Sequence, residues 1–222
     1  AGATRLSYAE LDARVARVAT RLARAGVRAD DVVSSQLANC AEALVLTLAA
    51  NRLGAVHNPI TTIAGPREID FVLGQADSRV FIDTPDHELL RVDEADDPAP
   101  IAPPAPRDVP RFLVYTSGST ADPKGALHSD VTLLVECAAQ SAYHGLRDDE
   151  VFVMPSPVAH VSGLLYGILL PVFLGATSVL LARWDPTEFL AAIQREHGTF
   201  SGGATPFLQG AVDHPDLDRR QA

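Results

Sequence analysis

The strongest constraint on the fold of this chain is a repeated alternation of amphipathic helical stretches with short apolar runs. Ser7 with Glu10 three residues on makes a capping box, Leu11, Val15, Val18 and Leu22 follow at helical spacing, and Gly26 stands at the stop. Residues 31–37 then read as a Val-rich strand. Asn39 and Glu42 repeat the capping pattern ahead of Leu44, Val45, Leu48 and Leu53, with Gly54 as the next stop. Residues 55–58 form a brief strand, Gly65-Pro66 opens a third helix carrying Ile69, Val72 and Leu73, and 79–83 is the strand after it. Beyond residue 110 the same rhythm predicts strands at 112–115, 151–154, 177–181 and 199–202. Helices are predicted to start at Ser129, His160, Asp185 and Thr205. Such alternation implies an α/β fold of mostly parallel sheets covered by helices. Residues 93–110 break it with acidic side chains and six prolines (98, 100, 103, 104, 106 and 110). That composition predicts an extended, exposed seam between a first half, 1–92, and a second, 111–222, or else a proline-rich docking motif.

The second half opens on residues 112–125, Phe-Leu-Val-Tyr-Thr-Ser-Gly-Ser-Thr-Ala-Asp-Pro-Lys-Gly. An apolar strand runs into a loop of small hydroxyl residues, the loop closes on Pro123, Lys124 and Gly125, and a helical pattern follows. Gly118 lets the backbone come close to a ligand, and Thr116, Ser117, Ser119 and Thr120 add hydroxyls to the backbone N–H groups, a donor set suited to a polyphosphate. Lys124 adds a compact positive charge on a slim stem. The chain has 17 Arg and one Lys, and that Lys is Lys124, so the site uses Lys where the rest of the sequence uses Arg. The loop is not the Gly-x-x-x-x-Gly-Lys-Ser/Thr motif, because Pro123, Lys124 and Gly125 follow Gly118 at the wrong spacing. The competing reading is a Ser/Gly-rich surface turn.

Composition bounds the rest. The net charge of −10 argues against broad nucleic-acid or anionic-membrane binding, so an anion site must be a local exception. Cys40 and Cys137 have neither metal nor redox spacing, which predicts reduced thiols and a cytoplasmic setting. Residues 161–182 carry no charge over a length that could span a bilayer, but Gly163, Gly167, Pro171 and Gly175 interrupt them. A buried helix followed by a buried strand is the expectation, with no integral membrane span.

Residues 115–125, Tyr-Thr-Ser-Gly-Ser-Thr-Ala-Asp-Pro-Lys-Gly, resemble the signature loop of the adenylate-forming (AMP-binding) superfamily, which includes acyl-CoA synthetases, aryl-CoA ligases, luciferases and peptide-synthetase adenylation domains. Ala121 stands where that family usually has Gly. Residues 157–163, Pro-Val-Ala-His-Val-Ser-Gly, resemble the family's next motif, whose histidine lies beside the carboxylate and adenylate site. Residues 202–206, Gly-Gly-Ala-Thr-Pro, resemble its acyl-pocket segment more weakly. The resemblance implies ATP-dependent activation of a small-molecule carboxylic acid (fatty, alicyclic or aryl) to an acyl-adenylate and then an acyl-CoA thioester, with ATP, Mg²⁺ and coenzyme A. It assigns Thr116, Ser117, Gly118, Ser119, Thr120, Lys124 and Gly125 to the phosphates, His160, Gly202 and Gly203 to the acid, and Lys124 and His160 to catalysis, with no metal ligand. A peptide-synthetase adenylation domain and a non-catalytic nucleotide-binding fragment remain open alternatives. The family's later signatures, including a Mg²⁺-binding Glu and a C-terminal lysine, are not found in these 222 residues. The resemblance therefore implies an incomplete N-terminal AMP-binding domain, inactive alone. His57, His87, His128, His144, His197 and His214 have no motif around them and are read as structural or surface residues.

Overall fold

The structure, a computed structural model, describes residues 4–92, 97–99, 101, 104, 108–116, 122–215 and 217. They divide into two compact units: the first takes residues up to Leu37 and Ala41–Asp130, and the second takes Ala38–Cys40 and the residues from Val131 onward.

The first unit begins with α1 (Tyr8–Arg24), whose capping box forms as the sequence predicts. Glu10 N–H donates to Ser7 Oγ at 3.3 Å, and Ser7 N–H donates to Glu10 Oε2 at 2.7 Å. Val15, Val18, Ala19 and Leu22 turn one apolar face inward, and α1 packs on α2 (Ala41–Leu53). β1 (Val32–Ser35), β2 (Val56–Pro59), β3 (Ser78–Ile82), β4 (Pro110–Thr116) and β5 (Lys124–Ser129) form one sheet in the order β3-β1-β2-β4-β5. Its β3-β1, β1-β2 and β2-β4 pairs are parallel, and only β4-β5 is antiparallel. All four residues of β2 are buried, as a strand covered on both faces must be. α3 (Pro66–Gln75) starts with Pro66 in its first turn and packs Val72 against Ile60 and Ala64. Much of the proline-rich stretch expected to form an extended seam lies outside the described residues; its described residues belong to this unit, where Ala99 N–H donates to Thr20 Oγ1 at 2.9 Å.

β5 is a departure from the sequence reading, which ran the loop from Lys124-Gly125 straight into a helix. Lys-Gly-Ala-Leu-His-Ser has no β-branched residue and no clean alternation, so neither propensity nor periodicity marks it as a strand. Pairing with β4 makes it one.

The second unit carries α4 (Asp130–His144) from Val131 onward, and then β6 (Val151–Met154). The apolar stretch that follows is a run of α5 (Val161–Leu164), a π-helical turn (Leu165–Leu169) and α6 (Leu170–Leu174), closed by Gly175 at φ 74°. No helix among the described residues is long and apolar enough to cross a membrane. β7 (Thr177–Leu180) pairs in parallel with β6. Asp185 caps α7 (Pro186–Glu196), its Oδ1 accepting from Glu188 N–H at 2.9 Å, and α8 (Thr205–Val212) follows. The strand predicted at 199–202 reduces to a single bridge, Phe152 with Phe200. Glycines at 202 and 203 follow immediately, and they weaken strand continuation.

Candidate functional site

The phosphate-loop residues belong to the first unit, on the β4–β5 hairpin. Tyr115 pairs with Gly125 and Thr116 with Lys124, so the loop leaves the sheet from its last antiparallel rungs. Ser117, Gly118, Ser119 and Thr120 lie outside the described residues. Thr116 Oγ1 donates to the Lys124 carbonyl at 3.3 Å, which ties the two ends of the loop together. Gly125 is small for a steric reason: a Cβ there would stand 2.6 Å from Leu113 Cδ1 and 3.2 Å from the Tyr115 ring. Burial against the Ile60–Val72 cluster pushes the Tyr115 phenol up from its ordinary value, so it stays neutral. Lys124 is exposed, and among the described residues no carboxylate pairs with it. An ammonium exposed on the β4–β5 hairpin, with no carboxylate on it among the described residues, can meet an anionic ligand.

His160, Gly202 and Gly203 belong to the second unit. β6 ends at Met154, and residues 155–160 turn into α5 with His160 at its N-cap. His160 N–H donates to the Pro157 carbonyl at 2.9 Å, and His160 Nδ1 accepts from Ser162 N–H at 3.3 Å and contacts Ser162 Oγ at 2.9 Å. With Nδ1 accepting, the neutral ring carries its proton on Nε2, on an exposed side chain. Gly163 lets the helix start press against the turn, since a Cβ at 163 would collide with the backbone of Pro157 and stand 2.7 Å from the Ser156 carbonyl oxygen.

The 202–203 segment is close to the same turn. A Cβ at Gly203 would meet the Ser156 hydroxyl at 2.9 Å, and one at Gly202 would meet the Tyr166 ring at 3.0 Å. The Ser156 hydroxyl is buried without a hydrogen-bond partner among the described residues. Phe200 packs on Tyr166 and Phe152, so Tyr166, Phe152 and Gly202-Gly203 belong to one packed neighbourhood, and Gly203 borders Ser156 in the turn that leads to His160.

Sequence reasoning missed Asn39. It was expected to cap α2, but its amide reaches the turn instead, with Nδ2 donating to the Ser156 carbonyl at 2.9 Å and Oδ1 accepting from Val158 N–H at 2.7 Å. Those partners are 117 and 119 residues away, and no local pattern reports a contact of that range. No group of three or more acidic, histidine or cysteine side chains that could hold a metal is present among the described residues.

Comparison with known proteins bears on all of this. The model of the AMP-binding enzyme family matches residues 1–222. A feruloyl-CoA synthase of Amycolatopsis sp is 35% identical over 96% of this chain, and a medium-chain fatty-acid–CoA ligase of Escherichia coli is 26% identical over 91%. The chain spans about half the length of the curated relatives it matches, 46% and 42% in these two cases. Among solved structures, ATP-bound MatB from Rhodopseudomonas palustris superposes with a TM-score of 0.86 at 25% identity, covering 96% of this chain and 47% of that one.

Proposed function

This chain belongs to the AMP-binding enzyme family, and from that premise we propose that it supplies the phosphate-loop and acid-side residues of an ATP-dependent acid–CoA ligase. The substrate is a small carboxylic acid of the fatty, alicyclic or aryl class, and the 35% identity with a feruloyl-CoA synthase favours the aryl end of that range. In the reaction a carboxylate oxygen attacks the α-phosphorus of ATP, a P–O bond forms, and pyrophosphate leaves with the bonding electron pair. A thiol, that of coenzyme A, then attacks the acyl carbon and AMP departs.

The observation that carries the reading is Lys124, the one lysine of the chain, exposed on the hairpin and without a carboxylate partner among the described residues. Two anions must be held together for the first step, so the protein's main contribution is positioning and charge neutralisation. Thr116, Lys124 and Gly125, with Ser117, Gly118, Ser119 and Thr120, would hold the β- and γ-phosphates. His160 would orient the acid by donating Nε2–H to a carboxylate oxygen. It is not needed as a base, because a carboxylic acid is already ionised at neutral pH. Gly202 and Gly203 would leave room for the acyl group. Mg²⁺ would neutralise phosphate charge when bound; no residue of this chain is assigned to it or to coenzyme A.

Titration of the 222-residue chain with ATP and Mg²⁺ tests the phosphate site. Lys124→Ala should weaken binding about tenfold or more, the loss expected for a charge-assisted hydrogen bond. Equal binding by both forms would overturn the assignment. We further propose that these 222 residues hold nucleotide without turnover. Acid-dependent AMP release above a Lys124→Ala control would contradict that.

A further inference from the structure

We propose that Asn39 is a positioning residue for His160, a side-chain clamp that sets where the acid-side imidazole stands. The inference rests on His160 being the histidine that meets the carboxylate. Asn39 is 5% exposed, and both functional ends of its amide are used on one turn. The donor holds the carbonyl of Ser156, and the acceptor holds the amide of Val158. Between those two groups stands Pro157, which has no N–H of its own and whose carbonyl accepts from His160 N–H at 2.9 Å. The amide of Asn39 is therefore two hydrogen bonds removed from the His160 backbone.

The turn is fixed by contact as well. Gly163 lies so close to Pro157 and Ser156 that even one carbon added there has no space. Clamped by Asn39 and backed by Gly163, the turn has little freedom to shift, and His160 inherits its position. The Nδ1 contacts with Ser162 then fix the ring's rotation and leave Nε2–H pointing away from α5. An Asn is suited to this task because it offers one donor and one acceptor on a short, rigid amide, whereas Asp offers acceptors only and Ser cannot span both groups. Positional error of this kind matters, since orientation is a large part of what such a site contributes to rate.

The test reads His160 directly in the ¹⁵N-labelled 222-residue chain with no ligand present. Long-range ¹H–¹⁵N spectra should show the Nε2–H form of His160, assigned with a His160→Gln variant. Asn39→Ala should bring the two ring nitrogens toward averaged values and speed exchange of the Val158 amide by about tenfold or more. Amides of β1 and β2 should keep their rates. Asn39→Asp retains an acceptor for Val158 N–H, so it should preserve most of that protection while perturbing the Ser156 side. An averaged His160 ring in the unaltered chain overturns the proposal, even if Asn39→Ala does not fold. So does an Asn39→Ala chain with unchanged His160 and Val158 signals, or one whose amides all accelerate equally. Because no ligand enters this measurement, weak binding of acid or nucleotide would count against the function alone.

Discussion

His57 is enclosed by Ser35, Thr47 and the ring of Phe112, and burial pushes its imidazole down to about 3. Thr47 donates its only hydroxyl proton to the Ala43 carbonyl at 2.7 Å, so at 3.2 Å it accepts from His57 Nδ1–H. Nε2 then accepts from Ser35, 3.0 Å away, and the neutral ring is satisfied at both ends. The folded-state value lies below the ordinary 6.5, so the unfolded chain binds the extra proton first as pH falls. The stability attached to His57 is therefore whole above about 6.5 and drains away toward about 3. At pH 5 this one group should cost about 2 kcal/mol, and urea midpoints at pH 7 and pH 5 will show it as a slope that His57→Gln reduces. Arg111 is a further buried polar residue with consequences. Its Nη1 donates to the Gly54 carbonyl at 2.8 Å and to Asp30 at 3.1 Å, and its Nε stands 3.4 Å from Asp130 without making a hydrogen bond. Arg111→Met removes one of two bonds to the Gly54 carbonyl, which keeps the Asp30 N–H at 2.9 Å, and strips the half-buried Asp130 of its cation, while the exposed Asp30 carboxylate can return to water. We expect a loss of about 2–3 kcal/mol in denaturant titration, toward the low side for breaking a buried pair. Lys124→Ala should stay within about 0.5 kcal/mol of the parent in the same measurement, because that side chain supports no packing.

At the scale of elements, close approach of backbones decides which glycines can change. Gly163→Ala puts a methyl into the backbone of Pro157, which cannot yield without moving the turn, and should cost about 2–3 kcal/mol. Gly167→Ala meets the Met154 side chain at 2.9 Å, a flexible neighbour, and should cost less than half as much; thermal unfolding of the pair checks the order. The same distinction explains how much could be read from the chain alone. Helices α1, α3 and α7 announce themselves through Ser7, Pro66 and Asp185, all signals contained within a few residues. The parallel strands follow from apolar runs between those helices, and the phosphate-loop and histidine motifs are contiguous. β5 had no such signal, because antiparallel pairing with β4 rather than residue preference makes it a strand. His57 looked like an unremarkable histidine, since nothing local reports that Phe112 and Thr47 would close over it. Asn39 had a plausible local role that a distant partner took over.

For the molecule as a whole, the net charge of −10 coexists with an uncovered apolar stripe along α4. Val131, Leu134, Val135, Ala138 and Ala142 recur at helical spacing and are all exposed, while Leu133 and Cys137 face inward. Such a stripe attracts other apolar surface, and the net repulsion between chains weakens as salt screens it. Light scattering of the 222-residue chain should therefore rise with ionic strength, and Leu134→Glu with Val135→Lys should suppress the rise without lowering the melting temperature. The division into units carries a different consequence. Residues 38–40 lie early in the sequence but belong with the unit formed by the residues from 131 onward. During synthesis Asn39 emerges 117 residues before the carbonyl it holds. The later unit closes its turn with a side chain from outside its own continuous stretch, a partner synthesised more than a hundred residues earlier and kept available since. Ribosome-bound intermediates ending near residue 150 should thus show β1, β2 and α2 protected and Asn39 still solvated, and a circular permutant opened between 40 and 41 would separate the clamp from α2, which follows it in the native order.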